Sequence, residues 1–327
     1  MDSNLRFWKS EGKTFSQRFF HWIDILDPLL LFKSQEEIKT SRELLLTSGP
    51  DITKSLLNKK IKEAWNLSLF CVCFFSLKAS VNPSTGDIVP PIFRLPAFLP
   101  LTVPLVLGTS LLPNGVKHAF LGQLLFHTYI TSFNLAHGNT TRKPEEFPHK
   151  QMLLTTGAIV YSASTGAFPH YILTRFQLQS PAQLFLKKII PAPLTAFLCA
   201  FNVLIIRGEE YESGIEIMDS NGCIVGVSKK AGEKAVKETA FSRAVMIGTA
   251  LFIPDIALHY LKRTNILIRN PLVCSPLKFI MMVSVLGVMI PVSFSWMPQL
   301  GTIQRSLIEP EIISSTEETE FFYNRGV

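Results

Sequence analysis

The chain has 327 residues, a net charge of +7, 47% hydrophobic and 17% charged residues, and a mean hydropathy of +0.27. A soluble domain is nearer a quarter charged, so these values lean away from an ordinary soluble globule and towards a membrane protein. The basic balance fits flanking loops and anionic lipid headgroups, and no compact Lys/Arg run with interleaved aromatics supports nucleic-acid binding.

The charge is uneven. Residues 1–97 hold thirteen Lys/Arg and ten Asp/Glu, whereas several later stretches hold almost none, which predicts a helical head followed by a membrane body. The first residues lack an apolar h-region, and Asp2 and Glu11 argue against a mitochondrial presequence. Phe15, Phe19, Trp22 and Leu26 step by four, three and four, giving one aromatic helical face that Asp27-Pro28 ends. A second helix is expected from Ser34, with Glu37 at capping-box spacing. A third, after Asp51, places Leu57, Ile61, Trp65 and Leu69 on one face. Its apolar extension over 67–77 is about 16 Å long as a helix, too short for a hydrocarbon core of about 30 Å. The polar turn Asn82-Pro83-Ser84-Thr85-Gly86-Asp87 follows, Pro fixing one turn position and Gly supplying a positive φ.

Five apolar spans are expected, near 98–116, 152–173, 189–206, 244–261 and 277–297. The segment 119–136 carries Gln123, His127, Thr128, Tyr129, Thr131, Ser132 and Asn134. That polar load suits a bundle-interior or re-entrant helix and not a lipid-facing one. Between the third and fourth spans, 207–243 reads as a soluble insert. In it Ile215 and Ile217 alternate, Asp219-Ser220-Asn221-Gly222 turns, and a helix beginning near Ala231 can run into the next span. The tail, 298–327, has five acids and only Arg305 and Arg325 as bases. Five spans with that tail outside place the head, 1–97, inside. The body then divides into 98–206 and 244–297, and the fold class is an all-α multi-pass bundle with a hairpin-helix insert.

Few residues carry obvious chemistry. Asp255 is the one acid inside a span, a functional candidate by default, although pairing with Lys262-Arg263 at the interface would explain it equally well. Ala158, Ser162 and Gly166 recur at four-residue steps, which favours close helix packing. His118, His127, His137, His149 and His170 share no metal-ligand spacing, and the five cysteines make neither a disulfide framework nor a zinc motif. No P-loop, dinucleotide fingerprint, Gly-x-Ser-x-Gly or His-Glu-x-x-His occurs, so neither a cofactor nor an enzymatic reaction is expected.

In this order, several motifs resemble those of the sideroflexins, multi-span proteins of the mitochondrial inner membrane. The turn Asn82, Pro83, Thr85, Gly86, Asp87 resembles their His-Pro-Asp-Thr-Gly-Glu. Asp27-Pro28, Asn202 followed by Arg207, Gly214-Ile215 with Asp219 to Gly222, and Pro291 with Met297-Pro298-Gln299 match further family landmarks. The resemblance implies a carrier of serine or a related amino acid. The closing residues are nearest a divergent branch linked to assembly of respiratory complex I, whose intermediates or assembly factors then become the expected partners.

Two departures matter. The family's Asn-Gln-Ser-aromatic-Asn cluster is replaced here by Thr128-Tyr129-Ile130-Thr131-Ser132. Side-chain amides suit a zwitterion's carboxylate and ammonium, and their loss argues against serine as the solute. The turn has lost its His and central Asp to Asn82 and Ser84, keeping geometry without titratable chemistry. The stretch 70–78 looks like an insertion relative to the family. The candidate solute site is therefore His127, Thr128, Thr131, Asn134, Asn202 and Asp255, in a carrier-fold protein whose cellular role is complex I assembly, with active transport of a small amino acid as the alternative.

Overall fold

The computed structural model describes residues 14–32, 34, 36, 80, 88–111, 115–139, 149–176, 182–183, 185–261, 273–313 and 318–326. The second and third head helices, the 70–78 run and the 82–87 turn lie outside the described residues.

The first described helix, α1 (Phe15–Ile25), starts at a capping box. Gln17 N–H donates to Thr14 Oγ1 and Thr14 N–H to Gln17 Oε1, satisfying two donors that a helix start leaves open. Its buried face is Arg18, His21, Trp22 and Ile25, whereas Phe15 and Phe20 are exposed. The expected aromatic face is thus centred on Trp22 and rotated towards polar residues. The rotation has a cause in the packing: Trp22 lies against Phe294, and Arg18 Nε donates to the Ser295 carbonyl at 2.8 Å.

Six longer helices follow: α2 (Phe98–Leu111), α3 (Val116–His137), α4 (His149–Arg175), α5 (Pro191–Ile206), α6 (Lys229–Leu261) and α7 (Cys274–Trp296). They run alternately up and down. Gln151, at the start of α4, bonds the carbonyl of Ile206 at the end of α5, and Asp255 near the end of α6 pairs with Lys278 near the start of α7. The segment read as a polar interior helix is a continuous 22-residue helix, α3, between α2 and α4. Contact with α2 is close at Gly122, where a Cβ would lie 3.4 Å from the Gly108 carbonyl. The stepped small residues Ala158, Ser162 and Gly166 are all buried, and a Cβ on Gly166 would meet the Gln123 side chain at 2.8 Å. The insert helix and the following span form one helix of 33 residues, about 50 Å long.

Helices α6 and α7 are long and apolar enough to cross a membrane, and Leu95–Thr109 and Pro191–Ile206 are shorter apolar helices. Unlike the helices of a water-soluble bundle, several helices here turn large apolar side chains outward. Helix α3 buries Gln123, His127, Thr131 and Asn134 while exposing Leu121 and Leu125, and α6 and α7 expose Phe252, Ile253, Ile280 and Val288.

The acidic tail after α7 contributes two strands to a sheet, so the fold is mostly helical and not all-α. Strands β1 (Ile215–Met218) and β2 (Ile224–Ser228) form the expected hairpin, while β3 (Leu300–Gln304) and β4 (Glu320–Asn324) extend it into a four-stranded antiparallel sheet of order β2-β1-β4-β3. An isolated hairpin is marginal in water, and β4 both lengthens the sheet and closes the open edge of β1. Ile215, Ile217, Ile303, Phe321 and Tyr323 face a small core against Ala231 and Ala235 of α6. Gly301 is required here: a Cβ would run into the Tyr323 ring.

The sheet joins insert to tail, and α1 packs on the end of α7 from which the tail departs. Head helix, insert and tail therefore share one end of the bundle, which corrects the expectation that the tail lies opposite the head. In a bilayer, cysteines placed at the exposed positions Phe15 and Thr302, together with the exposed native Cys223, are expected to react with a membrane-impermeant maleimide from the same side. Labelling of Phe15→Cys and Thr302→Cys from opposite sides would refute this arrangement.

Candidate functional site

An amphipathic helix with its polar face turned inward is the basis of the site. Gln123, His127, Thr131 and Asn134 recur at four, four and three residues, one face of α3, and all are buried. Asn202 projects from α5 to meet this face, and Ser162 from α4. Ser162 Oγ donates to Asn202 Oδ1 at 2.9 Å, and Asn202 Nδ2 donates to His127 Nδ1 at 2.9 Å. With Nδ1 accepting, the proton of the neutral ring sits on Nε2. That atom is buried without a protein acceptor, as are Thr131 Oγ1 and Gln123 Oε1 without partners of their own. An unsatisfied buried polar group costs about 1–3 kcal/mol. Gln123, His127 and Thr131 each leave such an atom along this one stripe.

Towards the end that carries the sheet, Arg243 of α6 reaches the stripe. Its Nε donates to Asn134 Oδ1 at 3.2 Å, while Asn134 Nδ2 donates to the Ile130 carbonyl within its own helix. The guanidinium lies 4.5 Å from the centroid of the Phe294 ring, a cation–π contact. Arg243 is 1% exposed and its Nη2 has no acceptor.

Beyond Asn134, a knot closes this end. Arg207, just past α5, makes a bidentate pair with Glu210, Nε to Oε1 at 2.5 Å and Nη2 to Oε2 at 2.7 Å. Its Nη1 donates to Thr239 of α6 and its Nη2 to the Arg325 carbonyl. Asn139, past α3, bonds Glu210 through its backbone and the Asn324 carbonyl through its side chain. Gly326, at φ +72°, has Arg207 Nη2 2.9 Å from where a Cβ would stand, so only glycine fits that turn without strain. Arg325 is itself buried, and burial holds its guanidinium down to about 10, still cationic at neutral pH.

Of the predicted site residues, His127, Thr131, Asn134 and Asn202 lie along this stripe. Thr128 points outward and is exposed, because it follows His127 by one residue, 100° around the helix. Asp255 is at the far end, paired with Lys278 at 2.7 Å and partly exposed, so it is a peripheral ion pair and not part of the stripe. Its partner among the described residues comes from the facing helix, and Lys262 and Arg263 lie outside the described residues. The turn residues Asn82, Pro83, Thr85, Gly86 and Asp87 lie outside the described residues. Sequence reasoning missed Gln123, Ser162 and Arg243 as site members. Gln123 and Ser162 were visible as a polar residue and a small residue in register, but Arg243 is the last residue of the segment 207–243 read as a soluble insert.

The ion pair gives a direct test. Removing one partner of a buried pair costs about 3–5 kcal/mol, because the other charge is stranded. Glu210→Gln is expected to lower unfolding stability in detergent by about that amount, and the double change Arg207→Met with Glu210→Leu by less than Glu210→Gln alone. A neutral effect of Glu210→Gln would show that the pair does not hold this end.

Comparison with known proteins places the chain among relatives along its whole length. A family model described as Sideroflexins matches residues 4–327. Sideroflexin-4 of Danio rerio is 42% identical over 329 residues, covering all of both chains. Sideroflexin-4 of Homo sapiens is 36% identical over 329 residues, covering all of this chain and 93% of the relative. Sideroflexin-5 of Homo sapiens is 29% identical over 322 residues, 96% of this chain and 90% of the relative. No solved structure matches.

Proposed function

The chain belongs to the sideroflexin family, and on that premise we propose that it is a multi-pass protein of the mitochondrial inner membrane whose helix bundle binds and carries a small polar solute. The observation that carries this reading is the inward polar stripe of α3, with His127 held in one tautomer by Asn202 and Ser162 and its Nε2–H left without an acceptor. Alongside buried Phe126, Ile130 and Phe133, α3 places an amide, an imidazole and a hydroxyl in the bundle interior, and polar groups at membrane depth are by default candidates for holding or passing a polar solute. Five apolar spans, with α3 as a sixth, polar crossing, bring head, insert and tail to one side, read as the matrix. The loss of the family's amide cluster at 128–132 argues against serine as the solute and leaves another small amino acid or related acid.

In proteoliposomes, Asn202→Ala and His127→Ala are expected to reduce uptake of a labelled small amino acid at least tenfold, about 1.4 kcal/mol, with Thr128→Ala and Asp255→Asn near wild type. Unchanged uptake in the first pair would sink the proposed site.

A second reading, support of respiratory complex I assembly, is favoured by exposed apolar residues on the sheet: Ile224 and Val227 of the edge strand β2, with Leu307 after β3. An unpaired edge strand with apolar side chains is a surface on which another chain can dock. Ile224→Lys with Val227→Lys is expected to leave the protein folded and abundant while lowering assembled complex I in cells dependent on it. Normal complex I would argue against this surface.

A further inference from the structure

The two buried arginines at the sheet end of the bundle have more hydrogen-bond donors than the protein satisfies. Arg243 is 1% exposed and Arg325 3% exposed. Arg243 bonds Asn134 through Nε, and Arg325 bonds the Phe294 carbonyl through Nη2 at 3.3 Å. Three further guanidinium nitrogens, Arg243 Nη2 and Arg325 Nε and Nη1, are buried without an acceptor. Both side chains converge on Phe294, one on its ring and one on its carbonyl, and Arg325 and Arg207 lie near enough to repel the Arg243 charge.

The charges do not balance. Glu210 is committed to Arg207 through both oxygens. Glu238 lies near Arg325 and offsets part of its charge, but no carboxylate among the described residues is hydrogen-bonded to Arg243 or Arg325. Buried guanidiniums ordinarily face carboxylate or phosphate, because burying an unpaired charge is costly and the planar fork suits a two-oxygen acceptor.

We infer that Arg243 and Arg325 form a binding site for a small oxyanion, the carboxylate group of a solute held along the α3 stripe. The carboxylate accepts from the nitrogens that the protein leaves open, and the rest of the solute extends towards Thr131 and His127. His127 is seven residues from Asn134, about 10 Å along the helix. This assignment rests on the carrier reading for the identity of the solute, but not for the existence of the site. Arg325 comes from the segment after β4, so occupancy would also tie that segment to the bundle.

The test uses the full chain in detergent, following its thermal midpoint with sodium acetate, glycine or inorganic phosphate against sodium chloride at matched ionic strength. Acetate or glycine should raise the midpoint saturably, as expected of a ligand that binds only the folded state. Arg243→Gln and Arg325→Gln should each weaken half-saturation tenfold or more, and Arg243→Lys, which keeps charge but loses the fork, should fall between. If a Gln variant fails to fold, the wild-type series and the Lys variant decide. No saturable rise in the wild type, or unchanged half-saturation in the variants, overturns the site. A rise with phosphate alone overturns the carboxylate assignment. Saturable acetate or glycine binding supports the site even if labelled glycine shows no flux in proteoliposomes, a result that would sink the carrier reading alone. Flux without such binding does the reverse.

Discussion

Two carboxylate oxygens of Glu210 gripping the guanidinium of Arg207 hold together parts of the chain that sequence keeps far apart. The pair lies where α5 ends, and its spare donors and acceptors reach Thr239 on α6, Asn139 past α3 and the backbone of Arg325. Each contact alone contributes about 1 kcal/mol net. Their value is that all become satisfied only when the ends of α3 and α5, the side of α6 and the residues after β4 arrive together. Glu210 also makes a tight backbone crossing with α6: a Cβ on Gly232 would collide with the Glu210 carbonyl. Electrostatics and close packing thus act on the same short stretch, the one-turn helix Gly208–Glu212.

This knot sits at one end of a bundle whose interior becomes more polar towards it. Apolar packing of Phe98, Phe126, Phe133, Phe294 and their neighbours forms most of the core, and the polar stripe of α3 threads it. Prolines inside α2, α4, α6 and α7 free carbonyls that a straight helix would satisfy. Ser295 Oγ donates to the Pro291 carbonyl at 2.5 Å, the i−4 back-bond by which a helical serine satisfies its hydroxyl within its own helix.

Helix positions were legible because runs of apolar residues ended in charge or proline. The polar load of segment 119–136 pointed to a bundle-interior or re-entrant helix, and the segment lies in one continuous helix that buries Gln123, His127, Thr131 and Asn134. Strands β3 and β4 were not legible: five residues of modest alternation in an acidic segment carry little signal, and β1, the strand that β4 joins, lies about a hundred residues upstream. Membership in the site was half legible. His127, Thr131, Asn134 and Asn202 stood out as polar residues within apolar surroundings, but the same criterion included Thr128 and Asp255, because composition does not say which way a side chain faces. Arg243 could not be seen at all. A charge at a span boundary looks like part of a loop until the helix is known to run from Lys229 through Arg243 to Leu261 as one piece.

The central position of β4 sets an order of events during synthesis. When β1 and β2 leave the ribosome, the second edge of β1 has no strand to pair with, and Arg207 lacks the backbone acceptor that Arg325 will supply. Two more helices, α6 and α7, must be placed before β4 exists to fill that edge. A half-made chain therefore exposes an unpaired strand and an incomplete charged knot, both of which a chaperone or protease can recognise. Premature termination after α7 would yield helices of full length that still carry this signal of incompleteness, so the fold reports on whether its own translation has reached the strand that completes the sheet.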